Sequence, residues 1–304
     1  MNATRHLLRY LRCERVVGPF LAMPAMLGLV LFVAVPFVMA AVLSLTNLRL
    51  GSPLETKFVG GQQYERVFAD PSFQRALLNN GIFAAVVVPV QTGLALLLAL
   101  ALNQRLRGMA AFRTLFFMPV LFPMALVAVV WELIYAPGPS GPLNAVLEAA
   151  TFGAATPQDF LHDRMLALPA IMFMSIWQGV GFQMVVLLAG LQEIPSELYE
   201  AAATEQAGRW SQFWHVTLPQ LRNPLVFTAL VTTILAFRVF DQVQIMTQGG
   251  PVDATTTVMF EAVRAVFDRQ QVAQASAMTV VFFVMVLVVA LVQRVLVRQR
   301  REVV

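Results

Sequence analysis

The sequence predicts an all-α membrane protein with six transmembrane helices and both termini in the cytoplasm. Three observations predict it. The chain is 58% hydrophobic and only 12% charged, whereas a soluble domain carries about 25% charged residues. Six apolar runs approach the roughly 20 residues that a spanning helix needs. The cations also gather at one set of run ends. With the N-terminus inside, the inner segments hold Arg5, Arg9, Arg12, Arg15, Arg105, Arg107, Arg113, Arg209, Arg222, Arg294, Arg298, Arg300 and Arg301. These are thirteen, against eight in the outer segments. An excess of cationic residues marks the cytoplasmic side.

The first run, Val17–Leu45, is eased by Pro24 and Pro36. It is far longer than the 7–15 apolar residues of a signal peptide and reads as a helix that stays. The second, Gly81–Leu102, contains Pro89, and the third, Leu115–Tyr135, has Pro119 and Pro123 in its first half. Prolines are tolerated in spans because neighbouring helices re-satisfy the freed carbonyls. The fourth run is Leu166–Leu188, the fifth Pro224–Phe240 and the sixth Ala275–Leu296. The outer connections are longer than turns. Short helices are expected near Gln62–Phe68 and over LNAVLEAA, and Gly249-Gly250-Pro251 forces a turn. With no repeat and no separable soluble part, residues 1–304 read as one membrane domain.

Several chemistries are excluded by what is missing. Cys13 is the single cysteine, so no intrachain disulfide can form. Lys57 is the only lysine and precedes Phe58, so the chain carries no nucleotide-binding P-loop. His6, His162 and His215 show no metal-ligand spacing, and no G-x-S-x-G elbow occurs. Work against a gradient therefore needs energy from a partner or an ion. Glu132, Arg238 and Asp241 stand near span ends, and the span centres carry no charge. That argues against a proton relay and leaves a sodium-coupled carrier with broken helices open, beside a non-transporting scaffold.

One polar, alanine-rich stretch interrupts this pattern: ELYEAAATEQAGRWSQFWHVTLP, Glu197–Pro219. By the arginine count it is cytoplasmic. Ser196 is expected to cap a helix there, with Glu197 and Glu200 in its first turn, where the helix dipole favours anions. Ala201, Ala202 and Ala203 let a partner surface approach closely. The aromatic residues of Trp210–Val216 suit a membrane interface. An ordinary amphipathic loop is the alternative.

Here the chain resembles a family. Glu200-Ala201-Ala202, then Val216-x-Leu218-Pro219, match the EAA signature of permease subunits of bacterial ABC importers in spacing. The signature's glycine position holds Gln206, with Gly208 two residues on. Glutamine there is expected to retain helix propensity better than glycine. FRTLFFMPVLFP, Trp131 with Pro142–Asn144, the block from Asp163 to Ala202, and AFRVFDQVQIMTQGGPVDATTT resemble carbohydrate importers of the maltose and glycerol-phosphate type.

The resemblance implies an ABC type I importer permease fold in the cytoplasmic (inner) membrane, a transporter subunit and not an enzyme. It implies a second, different permease, two ATP-binding subunits and an extracytoplasmic solute-binding protein. ATP and magnesium are then used by the partners, and this chain binds no cofactor or metal. A coupling helix over 197–208 docks on an ATPase through Glu197, Glu200, Ala201, Ala202, Gln206 and Gly208, with Leu218 and Pro219 closing the segment. Trp177, Gln178, Gly179, Phe182, Arg238 and Val239 fall at the substrate-pathway positions of maltose-type relatives. Aromatic faces with amide and guanidinium donors suit a hydroxyl-rich ligand. Trp177 as an interfacial belt residue and Arg238 as a snorkelling anchor are the competing readings. A sugar and glycerol 3-phosphate both remain open as substrates.

Overall fold

The computed structural model describes residues 14–53, 55–104, 106–154 and 156–298. His6, Cys13, Arg5, Arg9, Arg12, Arg105, Arg300 and Arg301 lie outside them. Among the described residues, four helices are long and apolar enough to cross a membrane, and two bent pairs make six if each pair is one span. The chain divides into two compact units, residues 14–67 with 265–281, and residues 68–264 with 282–298.

In the first unit, α1 (Glu14–Leu29) and α2 (Val35–Leu43) are joined by a π-helical turn over Val30–Ala34. No residue of the apolar window in Gly18–Leu43 is buried. The chain beyond it is held by Thr46 pairing with Phe58, by Ser44 Oγ at 2.8 Å from Tyr64 Oη, and by Gln63 Nε2 donating to Thr46 O at 2.9 Å. Leu50 N donates to Gln270 O and Ala273 N to Leu48 O.

Helix α3 (Gln62–Ala69) stops at Asp70, and α4 begins at once as Pro71–Leu102. Asp70 Oδ1 accepts from Ser72 N at 3.0 Å, and Pro71 sits in the first turn, where its missing N–H costs nothing. This cap starts the helix ten residues before the apolar run alone suggests. Its 32 residues span about 48 Å at 1.5 Å per residue, more than the ~30 Å hydrocarbon core.

The third run is a broken helix. Helix α5 (Met109–Phe117) passes into a 3₁₀ turn over Met118–Leu121, and α6 (Met124–Ile134) leaves at 99°. Pro123 drives Phe122 out of the helical region to ψ 138°, so the prolines turn the chain instead of kinking one span. The expected short helix is α7 (Pro142–Ala150).

Helix α8 (Ala167–Gln192) is the central post of the second unit. Its glycines let backbone come close. A Cβ on Gly181 would lie 2.1 Å from Phe116 O, and one on Gly190 would lie 2.7 Å from Pro224 Cγ. After it come α9 (Ser196–Thr204), α10 (Arg209–Gln212), a π-helical turn over Phe213–Thr217 and α11 (Leu218–Gln220). Helix α12 (Arg222–Phe237) turns 64° from the 209–220 pair. Then follow α13 (Asp241–Met246), α14 (Val258–Phe267) and α15 (Val272–Arg298).

Two apolar clusters stack along this unit. Phe83, Val127, Trp131, Ile171, Met174, Phe237, Val243 and Phe260 pack at the end where α4 begins. Ala95, Ala99, Leu102, Met184, Leu187, Leu191 and Leu221 pack at the end where it finishes.

Candidate functional site

Between the two clusters lies a cavity of about 500 Å³ walled by α4, the 3₁₀ turn with the start of α6, α8, α12 and α13. Five of the six pathway residues expected from sequence, Gln178, Gly179, Phe182, Arg238 and Val239, are in its wall. Trp177 is not. Its ring meets Trp131 edge-on at 5.4 Å, beside Phe173 and Tyr135, in an aromatic group off the cavity. The helical step from Trp177 to Gln178 is enough to move a side chain from one face to the next.

Gly179 serves a neighbour. A Cβ there would lie 2.5 Å from Gln91 Nε2, so glycine is what admits the Gln91 amide to the wall. Gln91, Ser175, Thr232 and Gln242 are buried polar groups lining the same space. Ser175 Oγ donates to Ile171 O at 2.8 Å, and Gln242 Nε2 donates to Ser175 Oγ at 3.4 Å. Gln183 Nε2 donates to Thr232 Oγ1 behind the wall. Sequence reasoning missed Gln91, Ser175, Asp241 and Gln242. The signal was there for Gln91, an amide in an otherwise apolar span, since burying an amide costs energy unless it is bonded or used.

Arg238 ends α12, and its N–H closes the helix on Ile234 O and Leu235 O. Val239 is buried, and its carbonyl accepts from Thr257 Oγ1 at 2.8 Å. Behind them, two adjacent asparagines brace the 247–258 loop. Asn79 Nδ2 donates to Asp253 O and Thr256 O, Asn80 Nδ2 donates to Phe237 O, and Val258 N donates to Asn80 Oδ1. Ser72 Oγ adds a bond to Asp253 Oδ2 at 3.0 Å.

At the opposite end, α9 presents Glu197, Glu200 and Ala201 outward, with Ala202 half-buried. Ser196 is the first helical residue and not the cap. Pro195 holds the cap position and makes no side-chain cap bond. The helix stops at Thr204, four residues before the expected end. Gln206 N donates to Ala203 O and Ala207 N to Ala202 O, the paired bonds of a Schellman C-cap. That cap needs a left-handed residue after the helix, and Gln206 takes it at φ 60°. The expectation that Gln206 firms the helix is therefore corrected, because it stands where the helix has already ended. Gly208, at φ −67° and ψ 166° with open space around it, has a conformation any residue adopts.

The segment is then strapped back. Tyr199 Oη lies 3.0 Å from Thr217 Oγ1, and Gln212 Nε2 donates to Ala207 O at 3.0 Å. Trp210, Phe213 and Trp214 form an aromatic trio with both tryptophans exposed. Leu218 is half-buried, Pro219 is exposed, and the fully buried Leu221 leads into α12.

Comparison with known proteins gives a consistent result. The family described as binding-protein-dependent transport system inner membrane component matches residues 91–302. The probable ABC transporter permease protein YurN of Bacillus subtilis is 34% identical over 283 residues, which is 92% of this chain and 96% of that protein. The diacetylchitobiose uptake system permease protein NgcF of Streptomyces coelicolor is 34% identical, over 89% of this chain and 79% of that one. The trehalose/maltose transport system permease protein MalF of Thermococcus litoralis is 32% identical, over 95% and 96% respectively. Among solved structures, a chain of a bacterial ABC transporter involved in import of the acidic polysaccharide alginate superposes with a TM-score of 0.79 at 20% identity. It covers 97% of this chain and 99% of that chain. At that identity the likeness speaks for the fold.

Proposed function

Because the chain belongs to the family of binding-protein-dependent transport system inner membrane components, we propose that it is one permease of an ATP-driven importer that moves a sugar or oligosaccharide across the inner membrane. The family supports a multi-pass permease in place of an ion-coupled carrier or a scaffold. The observation that carries the sugar reading is the cavity wall, where Gln91, Ser175, Gln178, Thr232 and Gln242 face one space. Amides and hydroxyls both donate and accept, and so match a ligand made of hydroxyls. Relatives whose names state sugar transport, such as the trehalose/maltose and diacetylchitobiose permeases, point the same way.

In this reading both termini and the 193–221 segment are cytoplasmic. The cavity is half of a pathway completed by a second, different permease. An extracytoplasmic binding protein delivers substrate at the 238–258 end. Two partner subunits bind and hydrolyse ATP with magnesium, and no cofactor is assigned to this chain. Glu197, Glu200, Ala201 and Ala202 of α9 dock on one ATPase, with Gln206, Gly208, Leu218 and Pro219 shaping the return to α12. ATPase closure moves the docked segment, and the spans change between outward- and inward-open states. Gln178, Gly179, Phe182, Arg238 and Val239 contact or flank the passing ligand, and Trp177 supports the wall from behind.

Glu200→Arg in the full complex is the test. Glu200 is exposed, so the permease folds and inserts normally. ATPase stimulation by loaded binding protein and sugar uptake are expected to fall at least tenfold, which corresponds to roughly 1.4 kcal/mol or more of lost coupling. Unchanged uptake with the ATPases still bound would falsify the docking assignment.

A further inference from the structure

The cavity wall contains two charged residues among those that line it, Arg238 and Asp241. They are three residues apart, one closing α12 and the other opening α13. Both side chains are exposed, and they do not pair with each other. A guanidinium and a carboxylate thus stand at one space with their hydrogen-bonding groups still open to a ligand. The rest of the wall is apolar or carries neutral amides and hydroxyls.

We propose that Asp241 sets the charge preference of the pathway: together with Arg238 it makes this chain's share of the wall net neutral, so that an anion finds no net attraction to offset the loss of its hydration and uncharged saccharides are preferred over carboxylated or phosphorylated ones. This rests on the sugar-importer reading and narrows its substrate class. Arg238 alone would attract an anion and leave glycerol 3-phosphate as good a candidate as a sugar. With Asp241 beside it, an incoming anion gains one attraction and meets one repulsion at similar range. The two offset, and the anion is left with the cost of giving up the hydration of its charge. A neutral polyol pays no such cost. Its hydroxyls can accept from the guanidinium and donate to the carboxylate, and the amides of Gln178 and Gln242 serve either role. Rejecting a wrong ligand by placing a like charge against it is an economical route to specificity.

Direct binding to the importer separates this choice from that of the binding protein. The full complex of both permeases and both ATPases is placed in nanodiscs without binding protein. Equilibrium binding is measured for lactose, maltose and diacetylchitobiose, for lactobionate as the anionic counterpart of lactose, and for glycerol 3-phosphate. The wild type is expected to bind at least one neutral probe about tenfold more tightly than either anion. Asp241→Asn should shrink that gap about tenfold, mainly by tightening the anions, while Asp241→Glu should preserve it. Raising salt from about 50 to about 500 mM should weaken anion binding to Asp241→Asn, where the Arg238 attraction is unopposed, more than it weakens anion binding to the wild type. A wild type that binds an anion as well as its best neutral sugar, or a gap that Asp241→Asn leaves unchanged, overturns the inference and leaves the sugar reading standing. Glycerol 3-phosphate bound with no neutral sugar bound overturns both.

Discussion

The segment at 193–221 lies between α8 and α12, the loop at 238–258 lies between α12 and α14, and the two treat polar groups in opposite ways. At the loop, the amides of Asn79 and Asn80 are buried and reach from α4 to four backbone groups of the loop and its neighbours. Thr255, Thr256, Thr257 and Glu261 are fully buried with them, and Thr256 Oγ1 donates to Glu261 Oε1 at 3.0 Å. At the 193–221 segment, α9 buries no residue, and one side-chain bond from Tyr199 and one beyond the helix at Ala207 strap the segment. The difference separates two tasks. A buried, mutually satisfied polar network fixes one geometry, because every displaced group would lose a partner where water cannot replace it. An exposed helix held by so few bonds keeps its outward side chains open to another surface. The cavity lies beside the fixed end through Val239, whose carbonyl belongs to that network.

Three substitutions sharpen or break this contrast. The largest effect is expected of Asn80→Ala. It strands Phe237 O and Val258 N, and each lost bond to a buried group costs about 1–3 kcal/mol, so the destabilisation should be about 2–6 kcal/mol. Thermal unfolding in nanodiscs measures it, and hydrogen exchange at Val258 N–H should rise locally. A loss under about 1 kcal/mol would show that the 238–258 end is not fixed by this network. Gln206→Gly should act in the other direction. It relieves a left-handed conformation that costs an ordinary residue about 1 kcal/mol and slows exchange of the Gln206 and Ala207 amides. Faster exchange there would mean that the cap is not what ends α9. Gly208→Ala should change stability by less than about 0.5 kcal/mol, as expected of an open surface position. A larger loss would move the glycine requirement back to Gly208.

Much of the fold was legible because lipid imposes a simple rule on composition. Runs of apolar residues near a fixed length located the long apolar helices and the two bent pairs, and the EAA spacing located α9. The failures have local causes. Leu115–Tyr135 read as one helix because hydropathy does not register direction, and a 99° turn at Pro123 leaves the run equally apolar. The start of α4 was missed because Asp70 and Pro71 form a cap in a polar stretch, where apolar content gives no warning. Gln206 misled because glutamine is a good helix former and its φ is set by bonds that only the finished turn makes. At the cavity, Gln178, Gly179, Phe182, Arg238 and Val239 were visible through resemblance. Asp241, Ser175 and Gln242 were not, since only packing of α13 beside α8 brings them to one wall. Asn79 and Asn80 look in sequence like two polar residues at a span end.

The network at those asparagines also fixes an order of events during synthesis. Asn80 waits for a partner 178 residues later, Asn79 for partners 174 and 177 residues later, and Ser72 for one 181 residues later. Until the ribosome has made residues 253–258, these bonds cannot form and water or other protein groups stand in for them. The straps of the 193–221 segment close over 18 and 5 residues. The exposed segment can therefore take its shape as soon as it emerges, while the braced end is completed only after most of the chain has been translated.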